Sequence, residues 1–146
     1  MDQRELLKNF YLFTDVTSND LDALEAIVER KSYIAGDLVI NEGEVADALF
    51  LVEMGTVDIV PKGKERVFAT IGSGHGFGEL AFFERGTRPA SVSAHERSYL
   101  LRIPYEPFSQ LLSGRPGLAL IVYRNACTFF ARHFRALAGD LNRRYL

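Results

Sequence analysis

The sequence predicts a mainly β protein, a jelly-roll-like β-roll of about eight strands, flanked by N-terminal helices and a long C-terminal helix. Three observations carry that expectation. Apolar residues recur at helical spacing up to about residue 30. From Lys31 the period falls to about two, while Gly36, Gly43, Gly55, Gly63 and the series Gly72 to Gly78 punctuate the chain every ten to twenty residues. Beyond Pro104 the helical period returns and runs to the end.

In "TSNDLDALEAIVER", Thr17 with Asp20 three residues on forms a capping-box-like start, and Leu21, Leu24, Ile27 and Val28 share one face. The pattern predicts a helix over residues 18–29. Leu38 and Ile40, then Val57 and Ile59, then Val67, Ala69 and Ile71 alternate with more polar neighbours, as half-buried strands do. "PKGKER" reads as the hairpin turn between the last two. A strand pattern resumes at "PASVSAHERSYLLRI" and stops at Pro104, after which "YEPFSQLLSG" is a short helix closed by Gly114.

Pro116 takes the favoured first-turn position of the final helix. Along it, Leu120, Tyr123, Cys127, Phe130, Phe134, Leu137 and Leu141 alternate spacings of three and four, a heptad seam. Val122, Ala126 and Phe129 form a second stripe, so one face is expected to dock on the roll and the other to pair with a second copy. The 146 residues are read as one domain: helices over 1–30, roll over 31–103, helices over 104–146.

Seventeen basic against nineteen acidic residues leave a formal charge of −2, which exerts no general pull on nucleic acid or an anionic membrane. Cys127 is the only cysteine, so no internal disulfide can form. "MDQRELLKNF" lacks the apolar stretch of a signal peptide, and no run approaches the roughly 20 apolar residues of a membrane span. The expected location is cytoplasmic, with neither a nucleic-acid nor a membrane partner.

The glycines of "GSGHGFGE" alternate strictly, giving neither G-x-G-x-x-G nor a Gly-Lys-Ser/Thr P-loop. His75 and Glu79 hint at a jelly-roll metal site, but the histidine that would stand two residues from His75 is Phe77, and no metal is expected. His133, Glu84, Glu96 and Asp140 lack the local sequence of a catalytic group, so no enzymatic activity is expected.

Glu79 and Arg88 are different. A carboxylate after a Gly-Phe-Gly turn, followed by "LAFF", suits one turn of helix whose free amides at Leu80 and Ala81 attract an anion. A facing guanidinium would complete the cradle. An acid there either serves a neutral sugar hydroxyl or pairs with Arg88, and residue chemistry leaves a phosphosugar site and a structural salt bridge equally open.

From Leu12 into the long helix the chain resembles the cyclic nucleotide-binding domains of the protein kinase A regulatory subunit, the bacterial catabolite activator and cyclic-nucleotide-gated channels. The likeness lies in "LFTDV", "AGDLVINEGEVADALFLVEMGTVDIV", "GFGELAFF", "RPASVSA" and "LLRIPYEPFSQLL". It implies a phosphate-binding cassette over Phe77 to Val92, with Gly78, Glu79, Leu80, Ala81, Arg88, Pro89, Ala90 and Ser91 as ligand-binding positions. Glu79 would accept the ribose 2′-hydroxyl, and Arg88 would pair with the cyclic phosphate. Phe129, Phe130, His133 and Phe134 are the candidates to cap the base.

Where the family has Ala, Ser or Thr after the arginine, this chain has Pro89, which offers no amide hydrogen. Losing one hydrogen bond to a charged group costs about 1.5–3 kcal/mol. The missing hydroxyl also favours cAMP over cGMP. The implied role is a regulatory module, dimeric through its last helix, that passes the signal to a downstream protein. Because the sequence stops within that helix, no helix-turn-helix and no DNA binding are expected. The alternative is a degenerate fold that binds no nucleotide and acts as an interaction module.

Overall fold

The computed structural model describes residues 2–61 and 63–145, with side chains described to Gly139; Lys62 of the expected hairpin turn, and Asp140 and Leu141 as side chains, lie outside it. Helices α1 (Gln3–Asn9) and α2 (Ser18–Ile27) flank a 3-10 turn, Tyr11–Phe13. Strands β1 (Glu29–Tyr33), β2 (Leu38–Ile40), β3 (Ala48–Met54), β4 (Thr56–Pro61), β5 (Ala69–Gly72) and β6 (Gly76–Phe77) follow. A short helix α3 (Leu80–Glu84) precedes β7 (Ala90–Ala94) and β8 (Ser98–Pro104), then α4 (Tyr105–Gly114) and α5 (Pro116–Tyr145).

The eight antiparallel strands of the described residues form two four-stranded sheets, ordered β1-β8-β3-β6 and β2-β7-β4-β5. "ALFLV" of β3 is buried throughout, because successive side chains serve different cores. Phe50 and Val52 join Ile40, Val57, Phe77, Val92 and Leu100 between the sheets. Leu49 and Leu51, with Leu101 and Ile103 of β8, face the helices, where Leu6, Phe13, Leu24, Phe108 and Leu118 cover them.

The Thr17 cap is present, its Oγ1 accepting from the Asp20 amide at 3.3 Å. α2 ends two residues earlier than expected, because Val28 turns extended (ψ 135°) to feed β1, whose register runs from Glu29↔Arg102 to Tyr33↔Ser98. Val67 lies outside β5, since the β4–β5 ladder begins at Ile59↔Ala69, and Val67 is half exposed.

α5 buries Leu118, Val122 and Ala126 against the 3-10 turn and α4, with Phe129 partly covered. The seam faces outward along most of its length: Leu120, Tyr123, Phe134 and Leu137 are 60%, 48%, 71% and 65% exposed, and Cys127 is exposed. Phe130 departs from it, turning edge-on toward Phe83 of α3 with centroids 6.2 Å apart. Among the described residues no helix is long and apolar enough to cross a membrane.

Candidate functional site

β6 delivers the chain into Gly78, whose φ of +85° is a conformation that L side chains rarely adopt. A Cβ there would also stand 3.0 Å from Arg88 Nη1 and 3.3 Å from the Ala48 carbonyl. This turn leads into Glu79, which stands at the start of α3 without a side-chain cap bond to its amides. α3 closes at Arg85, itself left-handed at φ 54°. The returning strand is fixed by backbone pairs to the β2–β3 loop: Arg88 N donates to Glu44 O at 2.8 Å, and Gly43 N donates to Arg88 O at 2.9 Å.

Glu79 and Arg88 are buried, 8% and 6% exposed, and no ion pair joins them. Arg88 Nη2 donates to Ala48 O at 2.5 Å, and Nη1 donates to Gly78 O at 3.3 Å and Tyr105 Oη at 3.4 Å. Its nearest carboxylate is Asp47, 3.9 Å away and largely exposed; Asp47 also pairs with Arg102 at 3.1 Å. The Tyr105 hydroxyl donates to the Gly78 carbonyl. Arg88 therefore holds the turn by its carbonyl oxygens, as a positive charge inside a ring of acceptors.

Glu79 Oε1 accepts a hydrogen bond from the Tyr11 hydroxyl at 3.1 Å. Glu79 Oε2, also buried, has no partner, and among the described residues it is the one buried side-chain polar atom left so. Burial pushes the Glu79 carboxyl above the usual carboxylate range, opposed in part by its own backbone amide and by Tyr11. Burial, then the nearby Glu79 charge, push the Tyr11 hydroxyl upward too, so it stays protonated and donates. Tyr105 is likewise raised by burial, against the lowering effect of Arg88.

The other expected positions divide. Ala81 is buried and Leu80 half exposed on α3. Pro89 is exposed, Ala90 opens β7 opposite Pro61, and Ser91 Oγ accepts from the Glu42 amide at 3.1 Å. Of the base-cap candidates, Phe129 stacks on Tyr11 and Phe130 meets Phe83, while His133 and Phe134 are exposed. His75 is exposed where Glu79 is buried, and among the described residues no three His, Cys, Asp or Glu side chains gather to hold a metal.

Tyr11, Tyr105 and Asp47 join the site through the fold. In the sequence Asp47 carries no signal, and the tyrosines stand at helix-flanking positions where an aromatic reads as packing. A cavity of about 190 Å³ reaches Arg88 from the side of Tyr33, Ile40, Asn41 and Asp47. It falls below the roughly 300–1,000 Å³ usual for small-molecule sites. A larger one, about 760 Å³, is lined by Ala81, Phe83, Gly86, Thr87, Tyr105 and Tyr123, and by neither Glu79 nor Arg88. Arg88 lines the smaller of these two, and Glu79 lines neither.

The structure is a two-sheet roll interrupted by a short helix, with a buried acid before the helix and a buried arginine after it. The chain belongs to the cyclic nucleotide-binding domain family, whose model matches residues 30–115, more than half of its length. It is 32% identical over 124 residues to an uncharacterised NTE family protein of Mycobacterium tuberculosis, covering 84% of this chain and 21% of that one. It is 30% identical over 139 residues to the cyclic AMP receptor protein of Thermus thermophilus, covering 93% and 62%. The regulatory domain of Toxoplasma gondii PKA, solved with cAMP, superposes with a TM-score of 0.70 at 25% identity, covering 76% of this chain and 46% of that one. The chain spans about a fifth of the length of the first curated relatives it matches.

Proposed function

We propose that this module binds cAMP in preference to cGMP, without catalysis, and signals through α5. Glu79 Oε2 takes a hydroxyl of the sugar, and Arg88 neutralises the cyclic phosphate with the amides of Leu80 and Ala81. The observation that carries this reading is the unpartnered Glu79 Oε2: a buried acceptor left empty costs about 1–3 kcal/mol, and a ligand hydroxyl removes that cost. The cavity at Arg88 is small, so in this reading binding widens it and Arg88 exchanges a carbonyl for phosphate. Phe129 and Phe130 are the nearer of the base-cap candidates, each already in contact with residues flanking the site. The exposed seam of Leu120, Tyr123, Phe134 and Leu137 supports a homodimer, and the lone cysteine fits a cytoplasmic protein acting on a downstream partner.

A second reading, an interaction module that binds no nucleotide, is favoured by Pro89 and by Arg88, whose guanidinium is already satisfied by two carbonyls and a hydroxyl. Calorimetric titration with cAMP and with cGMP, repeated on Arg88→Ala, separates the two. Heat with cAMP that disappears in the variant supports nucleotide binding. Silence at millimolar ligand supports the interaction module.

A further inference from the structure

Tyr11 lies outside both the roll and the turn that carries Glu79, yet it touches two distant parts of the molecule at once. Its hydroxyl donates to Glu79 Oε1 at 3.1 Å. Its ring lies nearly parallel to that of Phe129 on α5, with centroids 4.0 Å apart and planes at 16°. The 3-10 turn is tied to α5 a second time, by Asn125 Nδ2 donating to the carbonyls of Leu12 at 2.8 Å and Thr14 at 2.9 Å. Leu12 and Phe13 on the same turn are fully buried, so the turn cannot yield alone without opening the helical core.

A carboxylate offers about four lone-pair directions on two oxygens. Tyr11 occupies Oε1 and fixes the rotation of the group, leaving Oε2 buried and without a partner, so a ligand donor meets it only when the turn around it opens. A rotation of the carboxylate must either break this bond or drag the ring, and the ring is stacked on α5. We propose that Tyr11 is a positioning residue that presents Glu79 Oε2 to a ligand hydroxyl and passes any displacement of Glu79 to α5 through Phe129. The coupling needs no direct contact between ligand and helix. Taken with the nucleotide reading above, on which its physiological use rests, occupancy at Glu79 is felt along residues 125–131.

The test is amide hydrogen exchange of residues 125–131 in the nucleotide-free protein, for Glu79→Ala alone, Tyr11→Phe alone and the two combined. Tyr11→Phe keeps the ring and removes the donor. Loss of one hydrogen bond to a charged group predicts about a 10-fold rise in exchange for either single change. The combined protein should show no further rise. If Glu79→Ala does not fold by near-ultraviolet circular dichroism, Glu79→Gln replaces it, with a smaller but equally non-additive effect. Full additivity, or no change in α5, overturns the strut. A second arm adds cAMP to saturation, followed by calorimetry: the wild-type protein should alter exchange at 125–131, and Tyr11→Phe should bind yet lose that response. A bound variant that still responds like wild type overturns the coupling. Absence of heat in the wild-type protein counts against the nucleotide reading instead, and the nucleotide-free comparison still decides the strut.

Discussion

Arg88 reaches across the roll to Ala48, donating from Nη2 to its carbonyl at 2.5 Å, and so joins the cassette to the start of β3 beneath the turn. The same guanidinium holds the Gly78 carbonyl. Arg88 is therefore a structural bolt as well as the proposed anion partner. Arg88→Ala takes the side-chain donor from the Ala48 carbonyl and leaves the Gly78 carbonyl with Tyr105 alone, and should lower stability by about 1–3 kcal/mol, the cost of one unmet buried group. Urea unfolding checks it, and Arg88→Lys, which keeps the charge but not the fork, should recover part of the loss. A protein as stable as wild type after Arg88→Ala would mean these contacts are incidental.

Gly78 stands where no side chain fits. Gly78→Ala combines left-handed strain of about 1–2 kcal/mol with a Cβ pressed against Arg88 Nη1 at 3.0 Å. It should destabilise the roll and weaken ligand binding together, as thermal melts with and without cAMP would record. Gly63, also at positive φ but with nothing within 4 Å, serves as the control for strain alone.

Glu79 sets a pH dependence. Its folded pKa is raised, chiefly by burial, so the folded state holds this proton to higher pH than the unfolded chain does. Stability attributable to this group is therefore greatest below the unfolded pKa and declines as pH rises toward the folded one. Glu79→Gln should gain on wild type as pH rises above the ordinary glutamate value of about 4.3, measured as the difference in urea midpoint at several pH values. Ligand affinity should run the other way, falling on acidification as the acceptor is protonated, at a pH above that of an ordinary glutamate.

Pro89→Ala restores an amide hydrogen beside Arg88. If that amide faces the phosphate as the resemblance implies, affinity for cAMP should rise by about 10-fold or more. Titration calorimetry measures it directly, and an unchanged affinity would remove Pro89 from any role in weakening the site.

Sedimentation velocity on Phe134→Glu tests the seam. Phe134 is 71% exposed, so the change should leave the fold intact while converting a dimer to a monomer. A wild-type protein that sediments as a monomer would show that the apolar line serves some other partner.

Much of this molecule was legible as pattern. Alternation located β2, β4 and β7, Thr17 started α2, and Pro116 opened α5, because each signal is local and has one physical meaning. The places where sequence fell short are tertiary. Val67 alternates in step with Ala69 and Ile71, but strand length is set by the ladder to β4, which begins at Ala69. Phe130 fits the heptad spacing, yet Phe83 draws it inward. Residue types alone left Glu79 and Arg88 free to pair with each other. Their partners in the fold come from Tyr11, Ala48 and Tyr105, on three elements whose approach no spacing encodes.

Isothermal calorimetry of the wild-type protein with cAMP addresses the central claim most directly. Saturable heat, abolished by Glu79→Ala and by Arg88→Ala in proteins shown to be folded, is the predicted result. A flat titration at millimolar cAMP and cGMP, from folded wild-type protein, would contradict it.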